Sequence, residues 1–363
     1  MVKNILHLSP FLGGGGAERQ LALIAVEQSM RGYNVHVGIR FGGGYENLLI
    51  RSGVKIHKLE VSKTYNPLLL ARVDALVKKV RPDVIQTWLP QMDFFGGLAA
   101  LWNSVSWVAS ERSNGVVYER FSFRKLVRFC LIKHACGIVA NSSSAAEYWR
   151  MKVSPNVLIT KISNAVDVTA IRNAAQVSGG YSISDDSIKD ILVVGRLMPS
   201  KGIENVIEAV SRVPQKYNSH VKIIGNGPLR NKLMAKIRED GLDNRITLLA
   251  NDKFWWRFLK KSKMLISMSH FEGQPNVVLE AMAAGCPLIV SEIPAHREFL
   301  DEDSAIILPL NRPDLLADAI ISVISDPVSA CKRADRAALY VEGLTTARAV
   351  DAYDLVYEKV VRK

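Results

Sequence analysis

The sequence predicts an α/β protein of two doubly wound domains, each a mainly parallel sheet covered by helices on both faces. Three observations carry this expectation. The 363 residues exceed what a single core usually fills. Short apolar, strand-length stretches alternate with helical patterns along the chain. One opening plan, strand then glycine loop then helix then strand, occurs twice, at 4–39 and at 190–225.

In the first opening, NILHLS reads as a strand, PFLGGGG as a loop, AERQLALIAVEQSMRG as a helix and NVHVGI as a strand. Leu21, Ile24, Ala25 and Gln28 to Met30 recur at helical spacing, and Gly32 stops the helix. The second opening reads DILVVG, RLMPSKG, IENVIEAVSRV and HVKIIG in the same roles. Further strands, PDVIQTW, GIVANS, KMLISMS and CPLIVSE, follow in alternation with helices. The stretch DVTAIRNAAQVSGGYSISDDSIKD is rich in Ser, Gly and Asp and weak in periodicity, which suits a linker near 167–188. The expected division is therefore a first domain over 1–170, a linker over 171–188 and a second domain over 189–345. The closing segment, 346–363, has an amphipathic helical pattern and is expected to pack back on the first domain. Ligands of such sheets bind beyond the carboxyl ends of the strands, so the site is expected in a cleft between facing domains.

Apolar residues at 48% and charged residues at 23% fit a globular enzyme and exclude disorder. Cys130, Cys136, Cys286 and Cys331 lie at irregular spacings without ligand-spaced histidines, which points to reduced thiols in a cytoplasmic protein. The segment MVKNILHLSP lacks the long apolar core of a signal peptide, and no run of about 18 apolar residues occurs. The net charge of +12 is uneven: 21 Lys and Arg face 11 Asp and Glu through Ala170, against 26 and 24 afterwards. Such asymmetry suits an anionic partner for the first half, whether membrane surface, phosphate-bearing substrate or nucleic acid.

Two acids stand out in SHFEGQPNVVLEAMAAGCP. From Met264 to His296 there is no Lys or Arg, so Glu272 and Glu280 have no cation nearby in sequence. Glu280 lies in the second turn of a helix opened by Pro275 and Asn276 and ended by Gly285. A carboxylate on an otherwise apolar helix needs hydrogen-bond donors, which vicinal sugar hydroxyls would supply. Glu272 sits in the preceding loop. The N–H groups of Gly273, Gln274, Asn276 and Val277 lie between the acids and suit a phosphate. Solvated surface acids, or a glycosidase-like pair, are the alternatives.

FEGQPNVVLEAMAAGCPLI resembles the E-x7-E segment of the retaining glycosyltransferases of family 4, which have the GT-B fold. VVGRLMPSKGIENVIEAV is similar to that family's G-R-x4-K-G loop, and KIIGNGPLRNKL to its G-x-G-P turn. GGGGAERQLALIA, VANSSSAAEYW and ISNAVDV resemble its other segments, in order, over nearly the whole chain. The resemblance implies two Rossmann-like domains facing across a cleft. It implies transfer of a hexose or N-acetylhexosamine from a nucleotide diphosphate donor, expected to be UDP-linked, with retention. The implied acceptor is a hydroxyl of a glycan or lipid-linked intermediate of a bacterial surface polysaccharide such as lipopolysaccharide, O-antigen or capsule.

Carried to this chain, the resemblance makes Arg196 and Lys201 the cations that neutralise the diphosphate as it leaves. It makes Glu280 a ligand of the ribose and Glu272 a ligand of the transferred sugar. Gly225, Gly227 and Pro228 would shape the base pocket, and Gly13 to Gly16, Gly15 and Gly16 above all, would admit the diphosphate and acceptor closely. No cofactor and no metal are expected, since the basic loop takes a cation's place. The D-x-D at Asp301 to Asp303 follows a helix and reads as a solvated loop.

One departure concerns the acceptor side, where many relatives carry a histidine and this chain has Ser110, Glu111 and Arg112. Glu111 could orient or deprotonate an acceptor hydroxyl and Arg112 meet an anionic group, or the two could serve local packing. Arg120, Arg124 and Arg128 fall at i, i+4 and i+8 opposite an apolar face, suiting either a membrane-lying, acceptor-guiding helix or a solvated basic face. KFWWRFLKK is a second aromatic and basic patch with the same two readings. His7 reads as a core histidine. An NAD(P) oxidoreductase lacks its G-x-G-x-x-G here, no nucleic-acid module is discernible, and a sugar-nucleotide epimerase of the same fold is the nearest alternative.

Overall fold

In the computed structural model, which describes residues 2–61, 66–113, 123–176, 190–217, 219–250, 252 and 255–361, the strands form two wholly parallel sheets. The chain divides into two units, one of 1–165 with 346–363, the other of 166–345. The α/β class with two Rossmann-like domains is thus observed.

Unit 1 runs β1 (Asn4–Phe11), α1 (Gly16–Met30), β2 (Asn34–Phe41), α2 (Glu46–Arg51), β3 (Lys55–Lys58), α3 (Pro67–Val80), β4 (Val84–Trp88), α4 (Pro90–Trp102), β5 (Ser106–Glu111), α5 (Phe123–Ile132), β6 (Gly137–Ala140), α6 (Ser143–Arg150) and β7 (Leu158–Lys161). Its strand order is β3-β2-β1-β4-β5-β6-β7, so the winding reverses between β1 and β4. The inner strands are buried nearly throughout because helices cover both faces. Leu21, Ile24, Ala25 and Gln28 form the buried stripe of α1, as their spacing predicts.

Unit 2 runs α7 (Val168–Gln176), β8 (Asp190–Val194), α8 (Ile203–Arg212), β9 (His220–Ile224), α9 (Arg230–Glu239), β10 (Ile246–Leu249), β11 (Ser262–Ser267), α10 (Asn276–Ala283), β12 (Leu288–Ser291), α11 (Pro294–Arg297), β13 (Ile306–Leu308), α12 (Pro313–Ser325) and α13 (Pro327–Val341). The order β10-β9-β8-β11-β12-β13 reverses between β8 and β11. A short 3-10 segment, Trp255–Lys261, precedes β11.

The last helix, α14 (Thr346–Val361), belongs to unit 1. Tyr353 and Tyr357 are buried there, and Arg31 of α1 bonds Asp351 at 2.6 Å and the Ala347 carbonyl at 2.9 Å. A buried polar chain ties it to the sheet. His7 Nε2 donates to Gln28 (2.7 Å), Gln28 to the Tyr357 hydroxyl (3.4 Å), Tyr357 to Gln86, and Gln86 to Ser110 (2.7 Å). Trp88 donates to His7 Nδ1 at 3.1 Å, which fixes the neutral Nε2–H tautomer of a fully buried core histidine.

The expected linker needs correction over 171–176. Those residues complete α7 inside unit 2, where Ile171 is buried and Arg172 donates to the Ala283 carbonyl of α10. The rest of that stretch lies outside the described residues.

Candidate active site

The loops that follow β8, β9 and β11 leave the same edge of the unit 2 sheet, because all its strands are parallel. The β8 and β11 loops flank the reversal of strand order, where open α/β sheets hold their ligands. The β8 loop carries Arg196 and Lys201. The β11 loop carries Glu272, Gly273 and Gln274 and runs into Asn276 and Val277 at the start of α10.

Close backbone packing locks these loops together. His270 N–H donates to the Ser200 carbonyl at 2.8 Å. Gly202 has φ +60, and a Cβ there would lie 2.2 Å from the Met268 carbonyl oxygen, so no other residue fits. Leu197 N–H donates to Asn226 O at 2.9 Å and Leu229 N–H to Leu197 O at 3.1 Å. A Cβ on Gly225 would meet Gly195 O at 1.9 Å, and one on Gly227 would meet Leu197 O at 2.4 Å. The G-x-G-P turn with Pro228 therefore braces the Arg196 loop, beside whatever it contributes to a base pocket.

Glu272 does have a cation. Lys201 Nζ donates to its Oε1, and Ser269 Oγ donates to the same oxygen at 2.8 Å. Absence of Lys and Arg from 264–296 hid this partner, which comes from the other side of the switch point. Arg196 is exposed and touches only the Met198 sulfur at 4.0 Å; no carboxylate among the described residues pairs with it. No side chain caps the N-terminus of α10. Glu280 is 4% exposed, one and a half turns into α10, and accepts the Trp256 indole N–H at 2.8 Å. Beneath Glu272, Ser291 Oγ donates to the Ser269 carbonyl at 2.6 Å, and His296 Nδ1 donates to the Ser291 carbonyl at 2.8 Å. Burial pushes the pKa of His296 down, against the pull of Glu272.

In unit 1 the glycine loop follows β1 at that sheet's own reversal. Gly15 caps α1, and a Cβ on it would fall 2.2 Å from the Glu18 carboxylate; Gly16 is exposed. Glu111 and Arg128 correct two expectations. Arg128 is 4% exposed: its Nε donates to Asp93 at 2.6 Å and its Nη2 to Glu111 at 3.1 Å. Glu111 is 2% exposed and also accepts from Trp149 Nε1 (3.0 Å) and from Ser113 N (3.0 Å) and Oγ (2.6 Å). The pair serves the interior, so Glu111 is not placed to deprotonate an acceptor nor Arg128 to line a solvated basic face. Arg112 likewise bonds Asn164 (2.9 Å) and Tyr353 (2.5 Å) and lies 4.6 Å over Trp88, holding α14. Position 124 falls in α5, but its side chain and Arg120 lie outside the described residues.

Two patches also resolve. Of KFWWRFLKK, Trp255 and Leu259 are buried in the unit 2 core and Arg257 is exposed, while residues 253 and 254 and the side chains of 260 and 261 lie outside the described residues. Asp301, Glu302 and Asp303 bond Ser304, Arg297 and Arg336 in an exposed turn.

Comparison with known families accounts for this arrangement. The glycosyltransferase family 4 model matches residues 14–170, and the glycosyl transferases group 1 model matches 182–339. The chain belongs to glycosyltransferase family 4. This family 4 enzyme is 25% identical over 343 residues, 87% of this chain and 88% of the relative, to N-acetylgalactosamine-N,N'-diacetylbacillosaminyl-diphospho-undecaprenol 4-alpha-N-acetylgalactosaminyltransferase of Campylobacter jejuni. It is 23% identical, over 93% of this chain and 94% of the relative, to the lipopolysaccharide core biosynthesis glycosyltransferase LpsE of Rhizobium meliloti. Its fold matches that of Anabaena HepE, crystallised with UDP-glucose, with a TM-score of 0.83 at 19% identity over 99% of this chain and 100% of the other. The GT-B class follows, and these comparisons lend no support to the epimerase alternative.

Sequence reading of this family 4 chain missed Ser269, Trp256 and His296. Ser269 stood in the quoted segment, but only the folded loop shows which oxygen it serves. Trp256 stood in the aromatic and basic patch KFWWRFLKK, but nothing local linked it to Glu280, and no local signal marked His296.

Proposed function

We propose that the enzyme transfers a hexose or N-acetylhexosamine from a UDP-linked donor to a hydroxyl of a glycan or lipid-diphosphate-linked acceptor, with retention at the anomeric carbon. The observation that carries this is the gathering of Arg196, Lys201, Glu272 and the uncapped α10 N-terminus on one edge at the β8/β11 switch point. Cations and helix N–H groups suit a diphosphate, and ordered carboxylates suit sugar hydroxyls. The Campylobacter relative's name describes transfer to an undecaprenol-diphosphate-linked sugar, and an Escherichia coli relative, 30% identical over 47% of this chain, is named for UDP-galactose.

In this reading the anomeric C–O bond to the diphosphate breaks while the acceptor oxygen bonds to the same face. The acceptor proton passes to the departing phosphate oxygen. Arg196 and Lys201 stabilise the charge that collects there, which supplies the largest share of acceleration. Glu272 holds a hydroxyl of the transferred sugar, Glu280 the ribose, and Gly273, Gln274, Asn276 and Val277 offer backbone N–H groups to phosphate. Gly15 and Gly16 admit the donor and acceptor. No metal takes part.

No helix among the described residues is long and apolar enough to cross a membrane. Work at the cytoplasmic face, with peripheral contact through residues near Arg124, fits a lipid-linked acceptor. The test is a panel of UDP-, GDP- and ADP-sugars, read by thermal stabilisation and by nucleotide release with chelator present. Stabilisation by a UDP-sugar and chelator-resistant release are expected. Binding of NAD(P) alone, or of no sugar nucleotide, overturns the reading.

A further inference from the structure

We infer that Trp256 is a positioning residue for the nucleoside end of the donor: its indole orients Glu280 so that the carboxylate grips the vicinal hydroxyls of a ribose. The inference rests on the reading of Glu280 as the ribose ligand.

Glu280 is buried on a helix whose Val278, Leu279, Ala281 and Met282 are buried as well. A carboxylate in such a place must be met by hydrogen-bond donors. One donor that the fold brings is the neutral Nε1–H of Trp256, 2.8 Å from Oε2 and 24 residues upstream. An indole only donates, so the contact requires Oε2 to accept and fixes the plane of the carboxylate. A carboxylate offers about four lone-pair directions, of which the indole bond takes one.

The indole is itself held firmly. Its neighbours Trp255 and Leu259 are 3% and 1% exposed and anchor the 3-10 segment in the core that also contains Leu279 and Met282. Trp256 is only partly buried, so it stands at the edge of that core with its N–H turned to Glu280. A carboxylate oriented before the ligand arrives loses less freedom on binding, which raises affinity without a new contact to the ligand. The gain applies only to a ligand that uses Glu280.

Isothermal titration of the full chain separates this from a packing role. Trp256→Phe keeps a ring and removes the N–H; it is expected to weaken UDP binding by about two- to tenfold, the usual cost of having to order one side chain on binding. With 2′,3′-dideoxy-UDP, which lacks both hydroxyls, wild type and Trp256→Phe should bind alike. Trp256→His, which keeps a ring N–H, should recover part of the UDP affinity, and remains a test where the phenylalanine variant folds poorly. Equal losses for UDP and its dideoxy analogue, or no loss for either, overturn the inference. Glu280→Ala locates the failure: a loss of UDP affinity there, with Trp256→Phe unchanged, leaves the ribose reading standing and removes only the role of Trp256. If UDP does not bind the wild type, or binds Glu280→Ala unchanged, the underlying reading falls and this inference with it.

Discussion

Lys201 and Glu272 form an ion pair that joins the β8 and β11 loops across the switch point, 71 residues apart in sequence. Their side chains are 28% and 16% exposed, so water screens the pair and its net contribution to stability is about 1 kcal/mol or less. A diphosphate carries more charge than one carboxylate and competes for Lys201 on favourable terms. On the proposed function, donor binding would draw Lys201 toward phosphate and leave Glu272 for the sugar. Lys201→Ala should lower kcat by about 100- to 1000-fold, the usual effect of losing one charge-stabilising group, while Tm changes little. Steady-state kinetics with thermal unfolding checks both halves, and an unchanged kcat contradicts the assignment.

The two acids should separate by ligand. Glu280→Ala is expected to weaken UDP and a UDP-sugar alike, by about ten- to a hundredfold for a lost hydrogen bond to a charged group. Glu272→Ala should spare UDP and weaken the UDP-sugar. Calorimetric titration of both ligands on both variants measures this, and equal effects of Glu272→Ala on the two ligands undo the division of labour.

Arg128 is a structural cation, so its loss should be felt in stability first. Arg128→Met leaves Asp93 and Glu111 buried without their shared partner, which costs about 3–5 kcal/mol. Adding Asp93→Asn and Glu111→Gln removes the stranded charges and should recover much of that loss. Urea unfolding of the single and triple variants decides it; a loss below about 1 kcal/mol for Arg128→Met alone means the cluster is not closed in solution.

What sequence made legible follows from range. Strands such as Gly137–Ala140 are apolar from end to end because both sheet faces are covered, and α1 shows its buried stripe through Leu21, Ile24 and Ala25, so both can be read locally. The loop that bears Arg196 and Lys201 is legible too, through Gly202, which a tight backbone approach to Met268 requires, and the helix that bears Glu280 through Gly285, which ends it at positive φ. Pairings across the sheet are not. Glu272 looked uncompensated because Lys201 is distant in sequence, and the buried partners of Arg128 were hidden because Asp93 reaches it from α4 and Glu111 from the end of β5. Helix α7 looked like linker because its mixed composition gains order only where Ile171 and Arg172 meet α10 and α13.

His7 supplies a pH dependence of known sign. Burial lowers its pKa from 6.5 to about 4, opposed only in part by the Gln28 hydrogen bond. Between those values the unfolded chain carries the proton and the folded chain does not. Stability from this group is therefore full above pH 6.5, falls as pH drops toward 4, and levels off below. The limiting slope is about 1.4 kcal/mol per pH unit, so roughly 2 kcal/mol is lost between pH 6.5 and pH 5. His7→Gln is expected to be less stable than wild type at pH 7, having lost the bond from Trp88, but to lose less on acidification. His36, also lowered to about 4 by burial first and by its neighbour His57, titrates over the same range and remains in the variant, so the difference between the two proteins isolates His7. Urea unfolding at pH 7 and pH 5 gives that difference directly, and parallel losses in both proteins mean that His7 is not the group taking up the proton.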